Sequence, residues 1–303
     1  MNLTVVFSVL LLAVFSSAGR TSAGTTSDTI QPSVRIAVLG FTRSKASADS
    51  IALEVMLTEI LSRDPRLALI DQSMVQSATA GFGYDGSINM SKDEARNLGA
   101  AVGADFFLVG KAEAFTRSER ANESHEQAYA GVMIVDGRTG VLAAFDFISN
   151  KASTREAAKQ SLINALSARA SGYVDRMIRL QAQKAMARSS DSTISGADVI
   201  EVVPAEDSPR SLGFKPPEFL NRVKPDYSQD ADLADITATV EAMAVFRSNG
   251  EIGAIEITRW AGFGLDESAV QAIRQLKFKP ATRDGNPINV RALIRYNFRR
   301  LDK

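Results

Sequence analysis

The stretch TATVEAMAVFRSNGEIGAIEIT, Thr237 to Thr258, organises the second half of the chain. Val240, Ala242, Ala244 and Phe246 recur at every second position, the period of a strand with one buried face. Ser248-Asn249-Gly250 follows, and Asn-Gly tolerates the positive φ angles that a tight hairpin needs. Ile252 to Thr258 then returns as the partner strand, with Ile255 and Ile257 on one face. Leu265, Ala269, Ala272, Ile273 and Leu276 fall at helical spacing. Asp284-Gly285-Asn286-Pro287 turns the chain. Val290, Ala292, Ile294, Tyr296 and Phe298 alternate with Asn289, Arg291, Arg295, Asn297 and Arg299, giving a half-buried strand with one wet, basic face. The order over 214–303 is β-β-α-β.

Upstream, residues 30–187 read as a separate α/β block. Val34 to Leu39 is a mostly buried strand, and Leu53, Leu57, Ile60 and Leu61 recur at helical spacing. Leu67 to Ile70 is a short second strand, and Gly81 to Gly86 reads as a loop. Ser91 with Glu94 forms a capping-box pattern that opens a helix through Leu98 and Val102. Asp105 to Phe115, Gln127 to Val135 and Val141 to Phe147 read as strands, the last two joined at Asp136-Gly137-Arg138-Thr139-Gly140. Ser118 to Glu126, which carries the lone His125, reads as a charged loop. Ser153 with Glu156 is a second capping pattern before a long helix whose stripe is Leu162, Leu166, Tyr173, Met177 and Leu180. The expected class is α/β (α+β): a three-layer-like block with a mixed sheet, then a small β-β-α-β domain.

Two segments flank these blocks. Residues 1–23 pair an apolar run, Leu3 to Phe15, with small residues at Ser16-Ser17-Ala18 and Thr21-Ser22-Ala23, the pattern of an export signal. The run is shorter than the ~20 apolar residues of a spanning helix, which favours cleavage over a retained anchor. Residues 188–213 are rich in Ser, Asp, Pro and Gly and read as a flexible linker between independent domains. Within that linker, Val199-Ile200-Glu201-Val202-Val203 has the composition to dock as an edge strand.

Composition narrows the chemistry. The 303 residues include no Cys and one His, so thiol nucleophiles, disulfides, thiolate metal sites and iron–sulfur clusters are excluded. Lys+Arg and Asp+Glu are 35 each, which leaves no global basic field for nucleic acid. No Gly-rich phosphate loop is present, and the spacing of Asp85, Asp136 and Asp146 gathers no carboxylates for a metal. No cofactor and no enzymatic constellation are expected.

Two resemblances follow from these residues. Val34 to Phe41, Arg66 to Asp71, Gly103 to Gly110 and Val135 to Gly140 stand in an order similar to CsgG-like and TolB N-terminal-like periplasmic domains. Arg222-Val223-Lys224-Pro225-Asp226-Tyr227, Val245 to Ile252, Leu265 to Ala272 and Phe278 to Pro287 resemble the C-terminal domain of TonB energy transducers. It departs from that family at Tyr227-Ser228, where the family has Tyr-Pro. This likeness implies a periplasmic protein that binds an extended segment of an outer-membrane transporter or other envelope protein along a sheet edge. The candidate edge comprises Val290, Arg291, Ala292, Ile294, Arg295, Tyr296, Phe298 and Arg299, with Arg291, Arg295 and Arg299 outward to hold an acidic partner. Proline at Ala292 or Ile294 is the expected way to disable it. Two other roles remain open: an anchored transducer coupled to an ExbB–ExbD motor, and a CsgG-like assembly component that forms homo-oligomers.

Overall fold

The computed structural model describes residues 34–41, 48–120, 123–189, 200–204 and 211–300. The expected signal over 1–23 lies outside them, as do residues 190–199 and 205–210 of the expected linker.

The first block is built on a five-stranded mixed sheet, in the order β2 (Leu67–Leu69), β1 (Val34–Phe41), β3 (Phe106–Arg120), β4 (Glu123–Asp136) and β5 (Leu142–Ala152). β1 runs parallel to both of its neighbours, and β3, β4 and β5 are antiparallel in turn. Alternation divides the sheet into two faces. Ile36, Val38, Phe106, Leu108, Val132 and Ile134 pack under α1 (Ala48–Ser62) and α4 (Arg155–Ser189), joined by Leu57, Leu162, Leu166 and Met177. Ala37, Phe107, Val109, Met133 and Val135 face the other way, towards α2 (Gln72–Phe82) and α3 (Lys92–Val102).

Three local readings change. The stretch before Gly81 is helical: Asp71 caps α2 by accepting the Ser73 N–H, and Gly83 ends it at φ 75°. Its buried residues are only Val75 and Thr79, so the apolar stripe is too thin to register as a helix. Ser118 to Arg120 and Glu123 to Glu126 are strand rather than loop. β3 and β4 run through them, with Arg117 opposite His125, because a two-stranded ladder needs backbone bonds rather than apolar side chains. The cap of α4 is Thr154, whose hydroxyl accepts the Ala157 N–H (3.2 Å), one residue beyond Ser153. The capping box of Ser91 and Glu94 forms as read.

The second block begins with β6 (Ile200–Val202), β7 (Phe214–Lys215), β8 (Glu218–Phe219) and the short α5 (Gln229–Leu233). Its main sheet has the order β10 (Ile252–Arg259), β9 (Ala238–Phe246), β14 (Asn289–Phe298) and β6. α6 (Leu265–Arg274) covers one face through Ile273, against Ala242, Ala244, Phe246 and Val290. Around this core, β11 (Phe278–Lys279) pairs with β8, and β12 (Thr282–Arg283) pairs with both β7 and β13 (Asn286–Pro287).

The described residues all fall in one compact unit. α2 and α3 leave the β4–β5 side of the first sheet to the second block. Trp260, Ala261, Phe263 and Leu265 share one buried cluster with Phe107, Met133 and Val135, and Phe145 packs against it. Trp260 is 1% exposed and donates its indole N–H to the Gly140 carbonyl (3.1 Å). Phe263 lies 4.9 Å from Phe145 and 5.7 Å from Phe147, ring centre to ring centre. Gly131 admits this contact, since a Cβ there would stand 2.7 Å from the Phe263 ring. The Asn89 side chain clamps the junction, donating to Thr239 and Trp260 carbonyls and accepting the Thr239 N–H.

Candidate partner-binding edge

β14 lies beside β9 over its whole length, from Val290 opposite Phe246 to Phe298 opposite Ala238. Its inward residues are those the alternation marks: Val290 and Phe298 are buried, and Ala292, Ile294 and Tyr296 half-buried. Burial raises the Tyr296 phenol above its ordinary pKa. On the opposite side of β14, among the described residues, the only pairing is with β6. That pairing is parallel and covers Asn289, Arg291 and the residue between them. The chain thus forms its own edge strand at Ile200–Val202, within the run singled out for that role.

The direction of the backbone bonds follows from one contact. Val203 donates its N–H to the Arg291 carbonyl (3.2 Å), so the peptide groups of Arg291 face β6. A strand's N–H and C=O groups alternate sides from one residue to the next. Leu293, Arg295 and Asn297 therefore face the open edge, and Ala292, Ile294 and Tyr296 face β9. Proline at Ala292 or Ile294 would damage the internal ladder, so the positions that test the edge are Leu293 and Arg295.

The basic face is also less open than the alternation implies. Arg295 reaches Glu241 on β9, directly opposite it (2.6 Å), and Arg259 on β10 approaches the same carboxylate (3.7 Å). Arg291 bonds Glu256 on β10, which Lys92 of α3 also holds, and these cations keep the Glu256 carboxyl below its usual range. Arg300 pairs with Asp232 (3.2 Å), and Arg299 lines a hollow of about 400 Å³ with Lys224, Tyr227 and Asn297 at the end of β14. The 10 basic and 4 acidic residues of 257–303 are partly matched by the 8 acidic residues of 214–256. Opposite charges facing each other across strands neutralise the field that the sequence alone displays.

One cation escaped the sequence reading. Arg283, on β12, grips Glu201 of β6 through Nη2 (2.6 Å) and Nε (3.1 Å). Glu201 holds the guanidinium pKa above its ordinary value. Arg283 stands in a turn region, outside any strand pattern, and its partner is far away in sequence, so no local signal marks the pair.

The family model of the Gram-negative bacterial TonB protein C-terminal matches residues 223–299. Among solved structures, the TonB C-terminal domain of Pseudomonas aeruginosa is 20% identical and covers 29% of this chain and 89% of its own, at a TM-score of 0.25. The hypothetical protein CT253 from Chlamydia trachomatis is 17% identical and covers 46% of this chain and 97% of its own, at 0.33. Lipoprotein GNA1162 from Neisseria meningitidis is 16% identical and covers 46% and 99%, at 0.34. No curated protein matches the chain.

Proposed function

We propose, for a chain whose residues 223–299 are a TonB C-terminal domain, that it is a periplasmic binding protein rather than an enzyme. It takes up extended segments of outer-membrane transporters or other envelope proteins by adding them as a strand to β14. The supporting observation is the edge itself: the peptide groups of Leu293, Arg295 and Asn297 point away from β9, and no described strand pairs with them. Such a row recruits an extended chain through backbone bonds, and pockets for alternate side chains add selectivity. The hollow lined by Tyr227 and Arg299 lies where such a chain would leave the strand.

In this reading residues 1–23 serve export and are removed. Among the described residues, no helix is long and apolar enough to cross a membrane. Coupling to an ExbB–ExbD motor would require residues 1–23 to be retained as an anchor, and N-terminal sequencing of the fractionated protein decides that point. Strand addition is tested by titration calorimetry of the exported chain with extended transporter-derived peptides. Leu293→Pro should weaken binding while the fold persists. Equal binding by wild type and Leu293→Pro, or no binding by either, refutes the reading.

A further inference from the structure

The start of the β14 edge is occupied by the chain itself, and of its apolar side chains only Val203 packs against the core of the second block. Ile200 is 44% and Val202 66% exposed, so the two flanking apolar side chains of β6 bury little. The hold consists of a short parallel ladder, the Val203 N–H on Arg291, the half-buried Val203 side chain and the grip of Arg283 on Glu201. Arg283 is positioned for that grip. Its strand is paired on both sides, by β7 and β13, and the connecting turn takes Asp284 at φ 50° and Gly285 at φ 85°. The guanidinium lies 5.5 Å from the Phe214 ring centre and donates to the Leu212 carbonyl (3.2 Å). A fixed fork aimed at one carboxylate is a recognition device. Meanwhile the pair is partly wet, with side chains 29% and 32% exposed, so it holds its strand loosely.

We propose that Ile200–Val203 is an internal pseudo-ligand that partners must displace, and that Arg283 reads the carboxylate of whatever replaces it. This rests on the strand-addition reading and adds to it an orientation and a motif. The incoming segment runs parallel to β14, with an acidic residue opposite Val290 and β-branched or aliphatic residues on either side. Glu201 shows that register, lying opposite Val290 between Ile200 and Val202. Because the internal strand is covalently attached, its effective concentration is of the order of millimolar. A free segment of equal intrinsic affinity is therefore outcompeted, and only a better-matched or multivalent partner gains the edge.

The test uses the full exported chain and the synthetic peptide DVIEVVPA, residues 198–205. Wild type should bind it weakly. Glu201→Lys/Val203→Pro, which reverses the charge facing Arg283 and removes the Val203 donor, should bind it about tenfold more tightly or better. Adding Arg283→Ala to that variant should remove the gain, as should replacing the peptide's Glu by Gln. Glu201→Lys alone is the milder variant, and near-ultraviolet circular dichroism checks that each chain folds. Equal affinity for wild type and the displaced-strand variants overturns the pseudo-ligand, and indifference to Arg283→Ala overturns the role of Arg283. A transporter-derived peptide titrated in parallel separates the two ideas. If it binds wild type and variants equally, strand addition stands and the pseudo-ligand falls. If it binds none of them while DVIEVVPA binds the variants, the internal strand stands and the transporter reading falls.

Discussion

Asp266, in the first turn of α6, accepts the backbone N–H groups of Ala261 (2.9 Å) and Gly262 (2.8 Å) and is buried. Those two residues lead into Phe263, so one carboxylate shapes the loop that reaches the first block. Burial outweighs the two N–H donors and pushes its pKa up to about 6. The folded protein therefore keeps this proton to higher pH than the unfolded chain, where an Asp titrates near ~3.9. The resulting stabilisation is complete below the unfolded pKa and is lost as pH rises through about 6. Removing the group should expose that dependence. The melting-temperature advantage of wild type over Asp266→Asn should grow on acidification from neutral pH to about pH 4.5, by an amount equivalent to about 2 kcal/mol. A constant difference across that range would refute it. Gly131 belongs to the same junction. Gly131→Val places carbon inside the 2.7 Å approach to Phe263, and overpacking of this kind costs about 1–3 kcal/mol, measurable by denaturant unfolding.

β14 poses two distinct problems for its residues, and proline separates them. At Leu293 or Arg295 it removes an N–H facing the open edge, so stability should fall little while peptide binding drops. At Ala292 or Ile294 it removes a donor from the ladder with β9, and destabilisation of about 1–3 kcal/mol should follow from the β9 carbonyl left unpaired. Thermal melts of the four variants check the pattern, and a melt for Leu293→Pro as low as that for Ala292→Pro would reverse the assignment of sides. The buried face of this strand is legible from Val290, Ala292, Ile294, Tyr296 and Phe298, because side-chain period depends only on local geometry. The sides of the peptide groups are not, because they depend on the neighbouring strands. The arginines show the same limit: Arg295 looks free in sequence and meets Glu241 only once β9 lies beside β14.

At the scale of the molecule, the two blocks are legible as patterns, but their shared core is not. Trp260, Phe263 and Leu265 look like the turn and helix start of a small domain, yet they are buried in one cluster with Phe107 and Met133. Proteolysis between 188 and 213 should accordingly give two fragments that stay together on size exclusion under native conditions. Separation of the fragments without denaturant would show that the junction does not hold. A fragment of residues 211–303 alone should bare Trp260, seen as red-shifted fluorescence relative to the full chain, where it is 1% exposed.

What followed from sequence was what rests on neighbours in the chain: the strand and helix periods, the Ser91 capping box, the Asn-Gly turn, the buried face of β14 and the likeness to the TonB C-terminal domain. What required the folded chain was every relation between distant segments: the β4–β5 face closed by Trp260 and Phe263, the arginines of β14 matched to Glu241 and Glu256, and Glu201 laid in the grip of Arg283. The physical reason is that periodicity and caps are set within a few residues, whereas charge pairing and burial depend on which surfaces meet.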